Sequence, residues 1–210
     1  MFIFPYRDEN PTRTYPGVTV LLITVNVVLY LIPALIGKLP ELYAVYGFTP
    51  NQILVNPKGL FTSMFLHAGL LHLISNMWFL WLFGDNIEDH YGHFRFLGMY
   101  ILAGLSGNLV HALFSLFMSG IPVIGASGAV AGVMGGYLLT YPTAKLKCLF
   151  LLIIFPIFFR LWAAIFIGLW IIGQFFNAFF GINSHVAHWA HIGGFLYGFM
   201  WVRKMHREDA

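Results

Sequence analysis

The sequence predicts an all-α fold, a polytopic membrane bundle of six transmembrane helices with no separate soluble domain. Three observations carry this expectation. Only 9% of the 210 residues are charged while 59% are hydrophobic, whereas a soluble domain carries about 25% charged residues. So few charges could not clothe a water-facing surface. Apolar runs of bilayer-crossing length recur along the chain, each bounded by Pro, Gly or charges. The basic residues, finally, divide unequally between the two sides that those runs define.

Residues 1–17 read as a polar, proline-rich N-terminal segment (Arg7, Asp8, Glu9, Pro11, Arg13, Pro16). The first apolar run begins too far in, and lacks the small-residue cleavage pattern, for a secretory signal. Segment one covers about Val18 to Ile36. The long stretch from Gly37 to Leu66 is broken by Pro40, Gly47, Pro50, Pro57 and Gly59 but is rich in apolar residues, which places it in the membrane interface. Segment two covers Ala68 to Phe83 and is followed by the polar stretch Gly84 to Arg95. Segment three runs from Phe96 to Met118, a turn occupies Ser119 to Ala126, and segment four is a short, glycine-rich run from Ser127 to Tyr141.

Cys148 to Phe159 is apolar but too short to span and is interrupted by Pro156, so it reads as an interfacial or re-entrant element. Segment five then covers Leu161 to Phe180 and segment six Val186 to Val202, making 18–202 the membrane domain and 203–210 a charged tail. Six segments put both termini on one side. Arg7, Arg13, Arg95, Lys145, Lys147, Arg160, Arg203, Lys204 and Arg207 fall on that side, and only Lys38 and Lys58 fall opposite. The bias predicts cytoplasmic termini in a multi-pass protein of the plasma (inner) membrane, of the minimal bacterial or archaeal form. The net charge of +3 is no nucleic-acid signal here, and the single cysteine, Cys148, makes no internal disulfide.

Polar and ionisable side chains inside a membrane are costly and point to function. His72 and Asn76, at i and i+4, share one face of segment two. Ser127 opens segment four within Gly125-Ala126-Ser127-Gly128. His188 and His191 lie near the start of segment six, followed by Gly193-Gly194. At about 1.5 Å rise per residue, His72, Asn76, Ser127 and His191 all fall in the outer third of the bilayer. A serine hydroxyl becomes a nucleophile when a histidine takes its proton, and acyl transfer needs donors for the developing oxyanion. The Asn76 amide, a His72 N–H and the Ser127 backbone N–H are candidates. Every acidic residue lies outside the apolar segments, which favours a Ser-His dyad over a triad. Gly128, Gly132 and Gly136 in segment four, with Gly194 and Gly198 in segment six, form small-residue faces that let helix backbones approach closely.

These residues together resemble the rhomboid family of intramembrane serine proteases. The resemblance rests on His67…His72…Asn76, Gly125-Ala-Ser127-Gly128 and Ala190-His191-Ile-Gly193-Gly194, extends to Gly84…Glu88…Gly92, and covers the chain from about residue 60 onward. It implies nucleophile Ser127, general base His191, oxyanion donors His72, Asn76 and the Ser127 amide, and structural roles for His67 and Glu88, with Gly125, Gly128 and Gly194 as support. It implies transmembrane protein substrates within the lipid bilayer, cut near the outer end of a helix after a small residue, and no cofactor or metal. Segment five and the loop before segment six are similar to the family's substrate gate and cap. Two departures stand out. The Trp-Arg pair common in the family's first loop is absent. Ala131 also replaces the aromatic residue that often stacks on the catalytic histidine, leaving Phe195 or Trp189 to hold the ring.

Two other readings compete. His185, His188 and His191, spaced i, i+3, i+6, with His67 and His72, form a histidine set that zinc or haem chemistry uses, though no His-Glu-x-x-His motif occurs. A non-catalytic, client-binding rhomboid-like protein is the other. Known dead relatives lose the serine or the histidine, and both are present here.

Overall fold

A computed structural model describes residues 3–115, 122–152, 155–181 and 186–208. Helices dominate: α1 (Gly17–Leu35), the short α2 (Leu39–Tyr46) and α3 (Gly59–Thr62), then α4 (Leu70–Tyr91), α5 (His93–Ser115), α6 (Ser127–Thr140), α7 (Ala163–Phe180) and α8 (His188–Glu208). Three of them, α1, α5 and α7, are long and apolar enough to cross a membrane, with mean hydropathies of 2.4, 1.4 and 1.8 over their apolar windows. The turn of chain at 59–65 together with α4 makes a fourth such unit, bent by 91°. Two more helices complete the bundle without meeting that measure: α6 has only 14 residues, and α8 carries Arg203, Lys204 and Arg207 in its last turns.

The all-α expectation needs correction, because an antiparallel three-stranded sheet joins the helices in the order β1-β2-β3. Strand β1 is Ile3–Asp8, β2 is Lys145–Leu152 and β3 is Phe155–Trp162. Cys148 to Phe159, read as a re-entrant element, thus belongs to a β-hairpin in which Cys148 pairs with Phe159 and Leu149 with Phe158. Pro156 does exclude a helix here, but it is tolerated on β3, an edge strand, where a missing N–H is least costly. The period-two pattern was hidden because both faces of the hairpin are apolar. Leu146 and Cys148 are fully buried, while Leu151, Phe155 and Phe158 are exposed. β1 also pairs with β2 across more than 130 residues, Pro5 opposite Cys148, so the described part of the predicted N-terminal segment, from Ile3 on, belongs to the fold.

Other boundaries move for local reasons. Helix α4 continues past Phe83 to Tyr91, because the polar residues at its end find partners. Both oxygens of the fully buried Glu88 carboxylate accept the first N–H groups of α1: Oε1 from Val18 and Oε2 from Thr19, each at 2.7 Å, with Oε2 also accepting the Thr19 hydroxyl at 2.7 Å. The residue before α1, Pro16, offers no side-chain cap, so the cap comes from α4. A carboxylate at a helix N-terminus also meets the positive end of the helix dipole. Asp89 accepts from the N–H groups of Arg13 and Thr14 in the same corner. Gly92, at φ 82°, ends α4 in a conformation that favours glycine. Segment three is observed as α5 from His93, and residues 116–118 at its predicted end, with 119–121 of the predicted turn, lie outside the described residues. Helix α8 runs on through the predicted tail to Glu208.

The core is built around α6, buried from Gly128 to Tyr137. Helices α5 and α8 flank it at backbone contact. A β-carbon on Gly194 would lie 1.9 Å from the Gly128 carbonyl oxygen, one on Gly198 1.9 Å from that of Gly132, and one on Gly132 2.3 Å from the Ala103 β-carbon. Only glycine fits at these crossings. At the end of α6 away from Ser127, the Tyr137 hydroxyl donates to Asp8 and accepts from Asn10, and Asn86 donates to Asp8 at 2.8 Å, which fastens the sheet to the bundle.

Candidate active site

Ser127 is the first residue of α6, so its backbone N–H belongs to the first turn of N–H groups that have no partner within the helix. The close crossing of α6 and α8 brings His191 to it: His191 Nε2 lies 2.8 Å from Ser127 Oγ. His191 is 8% exposed, a buried imidazole whose hydrogen bonds are therefore all the more directive.

The chain leading into Ser127 is held from outside α6. Phe48, fully buried, exchanges backbone hydrogen bonds with Val123 (Phe48 N–H to Val123 O, 3.0 Å; Val123 N–H to Phe48 O, 2.7 Å), and the Gly125 N–H donates to the Ser63 carbonyl at 2.9 Å. The first loop thus braces the serine's approach without a Trp-Arg pair. Gly125 adopts φ 135°, outside the range that side chains favour. A β-carbon there would also sit 2.8 Å from Cε1 and 2.9 Å from Nε2 of His72, and 3.6 Å from Ser127 Oγ. The Cε1–Nε2 edge of the His72 imidazole occupies the space that a side chain at 125 would take. Its Nδ1 accepts the Ala68 N–H at 3.4 Å, which leaves the proton on Nε2.

Asn76 lines the same cavity, and one of its amide N–H groups donates to the His72 carbonyl at 2.9 Å. His67 is 1% exposed and packs edge-on against the His72 ring, with centroids 5.2 Å apart. Gly128 and Gly194 form the α6–α8 crossing, and Glu88 caps α1 well away from the serine. The cavity itself has a volume of about 900 Å³, bounded by α4 (His72, Asn76), α6 (Ser127), α7 (Trp170) and α8 (His188, His191).

The ring of His191 is not held as expected. Trp189 stacks on Phe114 at 3.9 Å and meets Phe179 edge-on, while Phe195 pairs with Phe199. The aromatic neighbour is Trp170 of α7, with centroids 5.7 Å apart. The hydrogen-bonding neighbour is Gln174, also on α7, whose Oε1 accepts from His191 Nδ1 at 2.7 Å and from His188 Nδ1 at 2.8 Å. Sequence reasoning passed over Gln174. Its signal was present, an amide in an apolar helix, and polar groups at membrane depth point to function. Among the described residues no three His, Cys, Asp or Glu side chains are grouped to hold a metal ion. His185 of the histidine set lies outside the described residues.

A membrane protein with several apolar helices, a serine at the start of a glycine-packed helix bonded to a buried histidine, and a cavity lined by both define the class. The chain belongs to the rhomboid family: the model described as "Rhomboid domain" matches residues 56–208. It is similar to RHOMBOID-like protein 1 of Arabidopsis thaliana, 36% identical over 67% of this chain and 32% of the relative. RHOMBOID-like protein 6, mitochondrial, from the same plant is 36% identical over 67% of this chain and 41% of its own length. Rhomboid protease GluP of Bacillus subtilis (strain 168) is 31% identical over 63% of this chain and 25% of its own length. The matched region covers well under half the length of each of these relatives.

Proposed function

We propose that the protein is an intramembrane serine endopeptidase that hydrolyses peptide bonds in or near transmembrane segments of other membrane proteins. The observation that carries this reading is the 2.8 Å contact between Ser127 Oγ and His191 Nε2 at the wall of a cavity large enough for several residues of an extended chain. The relationship to a protein named as a rhomboid protease supports it.

In this mechanism His191 Nε2 takes the Ser127 proton as Oγ attacks the scissile carbonyl carbon. The oxyanion of the tetrahedral intermediate is met by the Ser127 N–H at the positive end of α6 and by His72 Nε2–H, with Asn76 turning from the His72 carbonyl to join them. The imidazolium then protonates the departing amine, the C–N bond breaks, and an acyl-Ser127 ester remains. Water, deprotonated by His191, attacks the ester, and as the C–Oγ bond breaks the imidazolium returns the proton to Ser127 Oγ and the carboxylic acid product leaves. The pair works as a dyad completed by an amide, since no carboxylate among the described residues hydrogen-bonds to His191.

On this reading six segments cross the bilayer. The short α6 sits below a water-accessible depression, and both termini face the cytoplasm of a plasma membrane, as the distribution of Lys and Arg predicts. The test is cleavage of a model transmembrane substrate in liposomes by wild type, Ser127→Ala and His191→Ala, with and without chelator. Cleavage that both substitutions abolish and chelator spares is the expected result. Cleavage surviving Ser127→Ala would sink the serine mechanism.

A further inference from the structure

We propose that Gln174 is the positioning residue of the general base, so that His191 is competent only while α7 stands against α8. The inference rests on the serine protease reading above and adds a residue and a control point to it. An amide oxygen only accepts hydrogen bonds, so the 2.7 Å contact with His191 Nδ1 requires a proton on that nitrogen. The neutral imidazole then carries its lone pair on Nε2, facing Ser127 Oγ at 2.8 Å, and that is the tautomer a general base needs.

The same oxygen takes a second N–H, from His188 Nδ1 at 2.8 Å. His188 and His191 are one turn apart on α8, at i and i+3, so both lone pairs of Gln174 Oε1 are spent on fixing two imidazoles of one helix face. Trp170, one turn before Gln174 on α7, lies beside the His191 ring. Two side chains of α7 therefore set the orientation of the base, in place of the aromatic that Ala131 of α6 lacks.

Helix α7 is also the least buried of the three long apolar helices α1, α5 and α7. Its buried residues are only Ala163, Ile167 and Ile171, and its apolar window is 11% buried, against 22% for α1 and 44% for α5. Displacing α7 to admit a substrate segment stretches the Gln174–His191 bond, and chemistry resumes when the helix returns. The cavity of about 900 Å³ is present with α7 in place, so the closed arrangement has room for the scissile segment. The base is thus assembled by the helix that substrate must pass.

The test separates positioning from packing and from gating. Wild type, Gln174→Leu, Gln174→Glu and Ser127→Ala are compared for cleavage of a transmembrane substrate in liposomes and for the rate of covalent labelling by a small fluorophosphonate, with thermal melting in detergent as the folding control. Gln174→Leu keeps the volume and loses the acceptor. It should lower kcat and the labelling rate about 10- to 100-fold, the range for a hydrogen bond to a group that becomes charged, with KM changed less than about twofold. Gln174→Glu restores an acceptor and should recover at least a third of the wild-type labelling rate. If Gln174→Leu is labelled at the wild-type rate, the residue does not position the base, even if cleavage of the large substrate falls. If Gln174→Glu melts like wild type yet labels no faster than Gln174→Leu, the acceptor is not what matters, and the inference is overturned. Wild type that neither cleaves nor labels would overturn the protease reading and this inference with it.

Discussion

Around Ser127, on the proposed mechanism, four side chains from three helices divide the chemistry: His191 of α8 on the hydroxyl, Gln174 of α7 behind His191, and His72 and Asn76 of α4, which line the same cavity, for the oxyanion. Asn76 is held by the His72 carbonyl and gains a better acceptor only when negative charge develops. Asn76→Ala should therefore lower kcat about 10- to 1000-fold with little effect on KM or melting temperature, as steady-state cleavage kinetics would read. Equal losses through KM alone would remove Asn76 from the oxyanion site. Ser127, His191, His72 and Asn76 stood out in the sequence as polar groups at a depth where lipid allows few, and in the fold all four line one cavity. The residues that orient them were less legible. Gln174 meets His191 from another helix, and Trp170 replaces an aromatic expected on α6 or α8, so in both cases the information lies in how α7 packs and not in local spacing.

Among the elements, the glycine rows of α6 and α8 foretold the crossing that joins Ser127 to His191, since a β-carbon at Gly194 or Gly198 would strike backbone oxygen. The lengths of α1, α5 and α7 were likewise close to those read from hydropathy. What spacing could not show was pairing across distance. Strand β1 finds β2 across most of the chain, and Glu88 caps a helix that begins about 70 residues earlier. Glu88 marks the price of such a contact: a carboxylate with no exposure is tolerable only while its donors remain. Glu88→Ala should expose the unpaired N–H groups of Val18 and Thr19 and destabilise the fold by about 2–4 kcal/mol. A clear fall in melting temperature in detergent is expected, and an unchanged one would show that the cap is dispensable.

For the whole molecule, the sheet and the polar corner of Asp8, Asn86, Glu88 and Asp89 gather at the end of the bundle opposite Ser127. The basic residues Arg7, Lys147 and Arg160 share this end, cross-strand neighbours in the sheet. In the proposed topology the positive-inside bias turns this end toward the cytoplasm. With Cys148 replaced by serine, Lys58→Cys should react with a membrane-impermeant maleimide from outside the cell and Arg203→Cys only after the membrane is opened. The reverse pattern would invert the topology, and reaction of both from outside would break the even count of spans.

The central claim is that His191 makes Ser127 a nucleophile, and it is tested most directly without any choice of substrate. Membranes holding wild type, His191→Ala or Ser127→Ala are treated with a fluorophosphonate and the modified peptide is identified by mass spectrometry. The account predicts an adduct on Ser127 in wild type and none in either variant. An adduct on Ser127 that forms as fast in His191→Ala, or a folded wild type that forms none, would contradict it.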